Sequence, residues 1–460
     1  MPFDPAVLPR LDQDRMRRYT EHLDLYNGLQ WPGPSTRRQE RRLTFNYIKT
    51  AIDKVTSYLM GSLNFAVDPL EDTDPARDKA RAAEKAIYQV YEANNLSALD
   101  FQTEIDAAIL GDGCYKVTWD PEEKQVRVTA PDPQGLFAWW RGDDPSRIWR
   151  IASRYTLTAE EVEALHQVKP TRDKAVLAEV WTPATFELFI DNASQGEKPN
   201  PYGFIPFVLF PNLQEPKKFW GMSDIPPITE TQKELNRALS QLSRILEVSG
   251  NPIAVLENVE SSEDIAVQPN AVWNIPEGAK AYLLDLLQGG GVRLHVDYID
   301  LLYRTLHDLA EAPRAAFGGI ERELSGVALE IELHPLLQKV KRKRTLRSAA
   351  YKRRNEMTLA LLGQYTSQEF GPVSHRIVWG AVLPQDTQRQ AQNEQLLVQT
   401  GIHSRQLAMD NLGIQDPEKE FGRWMEERKR ILEMNQALRA RSTRGGDRER
   451  AVAPEAEAVE

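Results

Sequence analysis

The chain has 460 residues, a formal charge of −10, 41% hydrophobic and 27% charged residues, and one cysteine, Cys114. Its length predicts about two to four structural units; the acidic balance excludes a simple basic nucleic-acid-binding module, and the lone thiol excludes an intrachain disulfide or cysteine-rich zinc site and fits a reducing compartment. The opening Met1-Pro2-Phe3-Asp4-Pro5 carries neither a basic nor an apolar leader, and no window approaches the ~18 apolar residues of a membrane span, so a soluble intracellular product is expected.

Met16, Tyr19, Leu23, Leu25 and Tyr26 predict a helix over 12–27, ended by Gly28 and the Trp31-Pro32-Gly33-Pro34 turn. Phe45, Ile48, Ala51, Ile52, Val55, Tyr58 and Leu59 form the stripe of a second helix that stops at Gly61. A short strand at 65–67, a helix from Asp74-Pro75 to about Asn94 and another over 99–110 follow. After Gly113 the period changes to two, and 114–119 and 125–129 read as a hairpin around Asp120-Pro121-Glu122-Glu123. Strands are expected over 147–155, 175–181, 185–190 and 205–210, with a short capped helix at 158–165. The first 225 residues thus predict a mixed α+β unit with its helices mostly gathered first.

Pro226-Pro227 opens a long helix over 228–248 with a narrow stripe of Leu235, Leu239, Leu242, Ile245 and Leu246, a rod about 30 Å long at ~1.5 Å per residue. Strands at 253–256 and 271–275 form an insert closed by Gly289-Gly290-Gly291. A second rod spans 293–311, with Leu294, Ile299, Leu302, Leu306 and Leu309 on its apolar side. Polar rods gain little from their own cores and are stabilised by packing on copies or partners. A loop bracketed by glycines, Gly318-Gly319-Ile320-Glu321-Arg322-Glu323-Leu324-Ser325-Gly326, leads through Val327 into a helix that Pro335 must kink or restart, because it lacks an N–H. A strand at 373–382, helices at 387–398, 404–412 and 417–439, and a disordered tail from 441 complete the expectation.

Chemistry-bearing patterns are sparse. Gly111-Asp112-Gly113-Cys114 has the form of a helix stop entering a strand rather than of a nucleophile, and the seven histidines lack metal-binding spacing. Asp143-Asp144, Asp297 with Asp300, and Glu330 with Glu332 come without a phosphate-cradling loop, so they are expected to be solvated acids, and the triple glycine lacks the context of a dinucleotide site. No cofactor or metal is expected. The long helix carries an uninterrupted basic run, Lys339, Lys341, Arg342, Lys343, Arg344, Arg347, Lys352, Arg353 and Arg354, which surrounds the helix rather than forming one stripe. It reads as a solvated or inter-subunit face, or as a surface for DNA phosphates. Charge reversal of Arg342, Lys343 and Arg347 is accordingly expected to weaken assembly more than DNA binding.

Several stretches together resemble the tailed-bacteriophage portal proteins: Leu43-Thr44-Phe45-Asn46-Tyr47-Ile48-Lys49 through Lys54-Val55-Thr56-Ser57-Tyr58-Leu59-Met60-Gly61; Ala108-Ile109-Leu110-Gly111-Asp112-Gly113-Cys114-Tyr115-Lys116-Val117; Phe204-Ile205-Pro206-Phe207-Val208 before Ser223-Asp224-Ile225; and Leu324-Ser325-Gly326-Val327-Ala328-Leu329. The similarity spans roughly residues 40–385. It implies a wing (1–225 and 327–385), stem helices (226–250 and 292–317), a clip (251–291), a tunnel loop facing DNA (318–326, with Val327 at its edge), and a helical crown (386–440) before the tail (441–460). It further implies a non-enzymatic homo-oligomeric ring, dodecameric in the virion, at one capsid vertex, assembled in the host cytoplasm. Double-stranded DNA is packaged and ejected through such a ring, and its partners are terminase, major capsid and scaffold proteins, and head-to-tail connector proteins. The competing expectations are a head-to-tail adaptor and a packaging nuclease or ATPase, the latter without a visible motif.

Overall fold

The computed structural model describes residues 3–31, 33, 42–250, 253–258, 277, 278, 280–284, 291–318, 326–383, 387–414, 417 and 420–434. Helix accounts for 54% and strand for 22%, which makes the chain α+β as expected. It divides into two units, Met1–Val382 and Leu383–Glu460.

In the first unit, α1 (Gln13–Tyr26) precedes α2 (Tyr47–Leu59), whose N-terminus is capped by the Asn46 side chain accepting from Lys49 N. β1 (Leu63–Pro69) leads to α3 (Asp74–Ala93), which begins at the expected Asp74-Pro75, with Thr73 as its cap and Pro75 in the first turn. α4 (Leu96–Leu110) ends at Gly111 and opens β2 (Asp112–Asp120), which pairs with β3 (Gln125–Thr129) as the expected hairpin.

β4 (Leu136–Arg141), β5 (Asp144–Thr158), β6 (Lys174–Trp181), β7 (Thr185–Ile190) and β8 (Ala193–Pro199) form one antiparallel meander in that order. Between β5 and β6, α5 (Ala159–His166) is held by a Thr158/Glu161 capping box. Alternation along the strands serves both faces: Phe137, Ala152 and Val180 pack with Leu8, whereas Leu136, Ile151 and Trp181 pack with Cys114 and Phe207. β4 and β8 were not foreseen; the residues of β8 are all exposed, so no apolar alternation marks them. β9 (Phe207–Pro211) adds to β2, giving the order β3-β2-β9.

α6 (Pro226–Gly250) and α7 (Gly291–Ala310) are the two expected rods. Between them, β10 (Ile253–Glu257) pairs with β11 (Lys280–Leu284), while the strand expected at 271–275 lies outside the described residues. α8 (Gly326–Thr366) runs for 41 residues and continues through Pro335 instead of restarting there. β12 (Val373–Trp379) then returns to pair with β1 across some 300 residues of sequence. A large core gathers Tyr351, Met357 and Leu361 of α8 with Phe65, Ile87, Tyr115, Val117 and Phe210. The second unit holds α9 (Thr387–Gln399), α10 (Arg405–Asn411) and a further helical stretch at 420–434. The tail from 441 lies outside the described residues.

Candidate functional site

Three of the stretches that carry the resemblance meet at the foot of α6. Gly111 has φ +105° and lies so close to the chain at 221–223 that a Cβ would stand 2.9 Å from the Gly221 carbonyl oxygen, so glycine is required on both conformational and steric grounds. Asp112 holds this approach from the other side, accepting from Gly221 N at 2.7 Å and from the Tyr19 hydroxyl at 2.5 Å. Asp224 N donates to Ala108 O at 2.9 Å, and the Ser223 hydroxyl donates to the same oxygen. The end of α4 thereby fixes Asp224, fully buried, immediately before α6 begins.

The basic run of α8 fills this joint. Lys343 Nζ donates to Asp224 Oδ2 at 2.6 Å and lies 3.5 Å from Glu104 Oε1. Arg347 takes Glu104 in a two-pronged grip, Nε to Oε2 at 2.6 Å and Nη2 to Oε1 at 2.8 Å, and donates to the carbonyls of Pro211 and Asn212. Two turns further along α8, Arg354 pairs with Asp100, its guanidinium lying over the rings of Tyr115 and Tyr351. Positions 339, 343 and 347 recur every four residues on one face of α8, opposite Asp100 and Glu104, four apart on α4. Burial opposes ionisation of Asp224, but Lys339 and Lys343 outweigh it and hold the carboxyl well below the usual range. Burial draws the Lys343 ammonium below its ordinary pKa despite Asp224 and Glu104. At Arg347 burial acts the same way, and Glu104 reverses it.

Lys339 joins both rods. Its ammonium lies 3.3 Å from Asp224 at the start of α6 and donates at 2.9 Å to the carbonyl of Ala310, the last residue of α7. The start of α6 and the end of α7 are therefore held to one cation, which sits at the carbonyl end of α7 and satisfies its last carbonyl. Beyond Ala310, His307 Nδ1 contacts Ala312 O at 2.7 Å and its ring stacks edge-on with Phe317, which holds the 3₁₀ turn Arg314–Phe317 leading to Gly318. α6 is also zipped to the extended chain before α2: Gln232, Asn236 and Ser240, four apart and buried, accept from the backbone N–H groups of Tyr47, Phe45 and Leu43.

The expected electrostatic surface is thus corrected at five of nine positions. Lys339, Lys343, Arg344, Arg347 and Arg354 are buried with partners in their own chain; Arg344 donates to the carbonyls of Leu59 and Gly380. Lys341, Arg342, Lys352 and Arg353 are exposed, with Arg342 paired to Glu311 and Arg353 to Glu356. The acids opposite were missed. A signal was present, because Asp100 and Glu104 fall on the same helical side of α4 as Leu96, Thr103 and Ala107 and are buried with them. Of the expected tunnel loop, Gly318 is left-handed at φ +85° and Gly326 begins α8, while Gly319, Ile320, Glu321, Arg322, Glu323, Leu324 and Ser325 lie outside the described residues.

α7 is apolar on two sides. Ile299, Leu302 and Leu306 are half-buried or buried, but Leu294 and Leu309, expected beside them, stand with Leu301 at 46–72% exposed, while the Tyr298 hydroxyl donates back to Glu234 of α6. Cys114 is buried, and burial pushes its thiol up, away from nucleophile chemistry. Asp143 and Glu330 are exposed, Asp300 pairs with Arg304, and no metal-holding cluster occurs among the described residues. No described helix is long and apolar enough to cross a membrane.

No curated protein matches the chain. Residues 8–434 match the family model described as phage portal protein, SPP1 Gp6-like, a span that takes in the joint, both rods and the long helix. The chain belongs to that family of phage portal proteins.

Proposed function

We propose that this portal protein forms a closed ring of twelve copies whose axial channel passes double-stranded DNA during packaging and ejection. The observation that carries this reading is the exposed apolar stripe of α7, Leu294, Leu301 and Leu309, which adjoins the face of the helix that is already packed. A stripe of that kind is covered when identical rods stand side by side, and a family of oligomeric rings at the capsid vertex supplies the neighbours. In this reading α6 and α7 are the stem, 251–291 the clip that docks terminase and later the connector proteins, and 318–326 the tunnel loop narrowing the channel. The rest of the first unit is the wing, facing capsid and scaffold proteins, and 386–440 the crown. Lys341 and Lys352, exposed on α8, remain as contacts between neighbours or with the DNA end.

Negative-stain imaging and native mass spectrometry of the purified protein test this directly. A central-holed ring is expected, with Leu301→Glu shifting the population to monomer while the fold of the chain is retained. A wild-type chain that stays monomeric at high concentration would overturn the reading, as would a Leu301→Glu ring of undiminished stability.

A further inference from the structure

The described residues of the second unit order almost no core of their own. Among its described residues Ala408 is the sole buried apolar side chain, whereas nine large apolar side chains, Leu396, Ile402, Met425, Ile431, Leu432 and Met434 among them, are exposed. Its internal ties are polar or stacked: Glu394 accepts from His403 Nδ1 and Asn411 Nδ2, both at 2.9 Å, and Trp424 lies between the guanidinium groups of Arg405 and Arg428. Ordering each residue costs about 1–2 kcal/mol of conformational entropy. Burial of a single alanine methyl does not offset that over three helices, and units of this size without a core depend on association.

We infer that the second unit folds only when the same unit of an adjacent copy covers it, so that crown folding requires ring closure. This rests on the ring reading above. The charges favour a copy as the occupant. Within 420–434, Glu426, Glu427 and Glu433 stand beside Lys429 and Arg430, and none of the five has an ion-pair partner among the described residues. A stretch carrying both signs, interleaved with Met425, Ile431 and Leu432, is complementary to a shifted copy of itself. A ring also holds adjacent copies at high effective concentration, so a weak self-contact suffices.

Hydrogen exchange on the full-length protein, fractionated into ring and monomer, tests this. In the ring the amides of α9, α10 and 420–434 are expected to exchange at least about 100-fold slower than in the monomer, while α8 stays protected in both. Ile431→Asp is expected to lower that protection about tenfold or more in rings that still form through α7. Equal protection in ring and monomer overturns the inference, because the unit is then covered by its own chain or stable alone. Equal exposure in both also overturns it, leaving a different protein as the cover. If no ring forms at all, the ring reading fails first, and protection of 420–434 in that monomer refutes the coupling independently.

Discussion

Removing the shared counterion of α8 should unfold rather than disassemble the protein. Glu104 lies between Lys343 and Arg347, and all three side chains are at most 2% exposed. Glu104→Gln keeps the shape but leaves three buried cations, Lys339, Lys343 and Arg347, facing Asp224 alone. Breaking a buried pair by deleting one partner costs about 3–5 kcal/mol. For a unit of 382 residues the entropy of unfolding is about 0.8 kcal/mol/K, so the midpoint should fall by about 4–6 °C. The matched control is Glu311→Gln, which breaks the Arg342 pair; those side chains are 39–49% exposed, and such pairs contribute about 0–1 kcal/mol. Calorimetric melting of both variants measures the difference. A fall below about 1 °C for Glu104→Gln, or one no larger than that of Glu311→Gln, would refute the reasoning. The same geometry reassigns the charge reversal of Arg342, Lys343 and Arg347: Arg342 alone is a surface change, and the other two are expected to yield misfolded protein, read by near-ultraviolet dichroism.

Half-buried Asp106 is pushed up to about 6 by burial and by Asp132, so folding favours its proton and stability declines as pH rises from about 4 through 6. Asp106→Asn should therefore add about 1 kcal/mol at pH 7, after allowance for solvent screening, and almost nothing at pH 4; urea midpoints showing equal gains at both would contradict this. Gly113→Ala places a methyl 2.3 Å from the Phe210 ring, which is buried against Tyr115 and Arg347. Overpacking of about 1–3 kcal/mol is expected in the urea midpoint, and an unchanged midpoint would show that the ring yields freely. The Cys114 thiol should react with a disulfide reagent at pH 8 only at the rate of unfolding, so fast labelling of the native protein would place it nearer the surface than the structure does.

The elements legible in the sequence were those whose signals are local. The stripe of α2, the Thr158 cap, the β2-β3 hairpin and both rods depend on periods and caps within about 25 residues. The continuation of α8 through Pro335 is not local: Leu333, Leu336 and Val340 are buried around the proline, and their packing outweighs one missing hydrogen bond. The pairing of β1 with β12 likewise has no local trace. The basic run misled because charge was read as a surface property. Lys343 and Arg347 lie inside since their counterions, Glu104 and Asp224, come from segments over a hundred residues away. A helix whose cations follow a four-residue spacing can be amphipathic in charge, and the place to look for its partner is an acid on the apolar side of another helix.

That burial also changes the electrostatics of the proposed conduit. In the first unit six buried cations, Arg15, Lys339, Lys343, Arg344, Arg347 and Arg354, are opposed by five buried acids, Asp100, Glu104, Asp112, Glu179 and Asp224. The remainder of the chain therefore carries the whole acidic excess behind the formal charge of −10. A duplex with one phosphate charge per ~1.7 Å would meet a ring whose densest basic segment is in large part neutralised within each subunit, Lys341 and Lys352 aside, so the net acidic charge would oppose a permanent grip. Cations that would have bound phosphate tightly instead fasten the feet of two rods to α8. Lys339 makes the exchange explicit: its ammonium reaches both Asp224, just before α6, and the carbonyl of Ala310, at the end of α7, and so ties the feet of the two rods to α8.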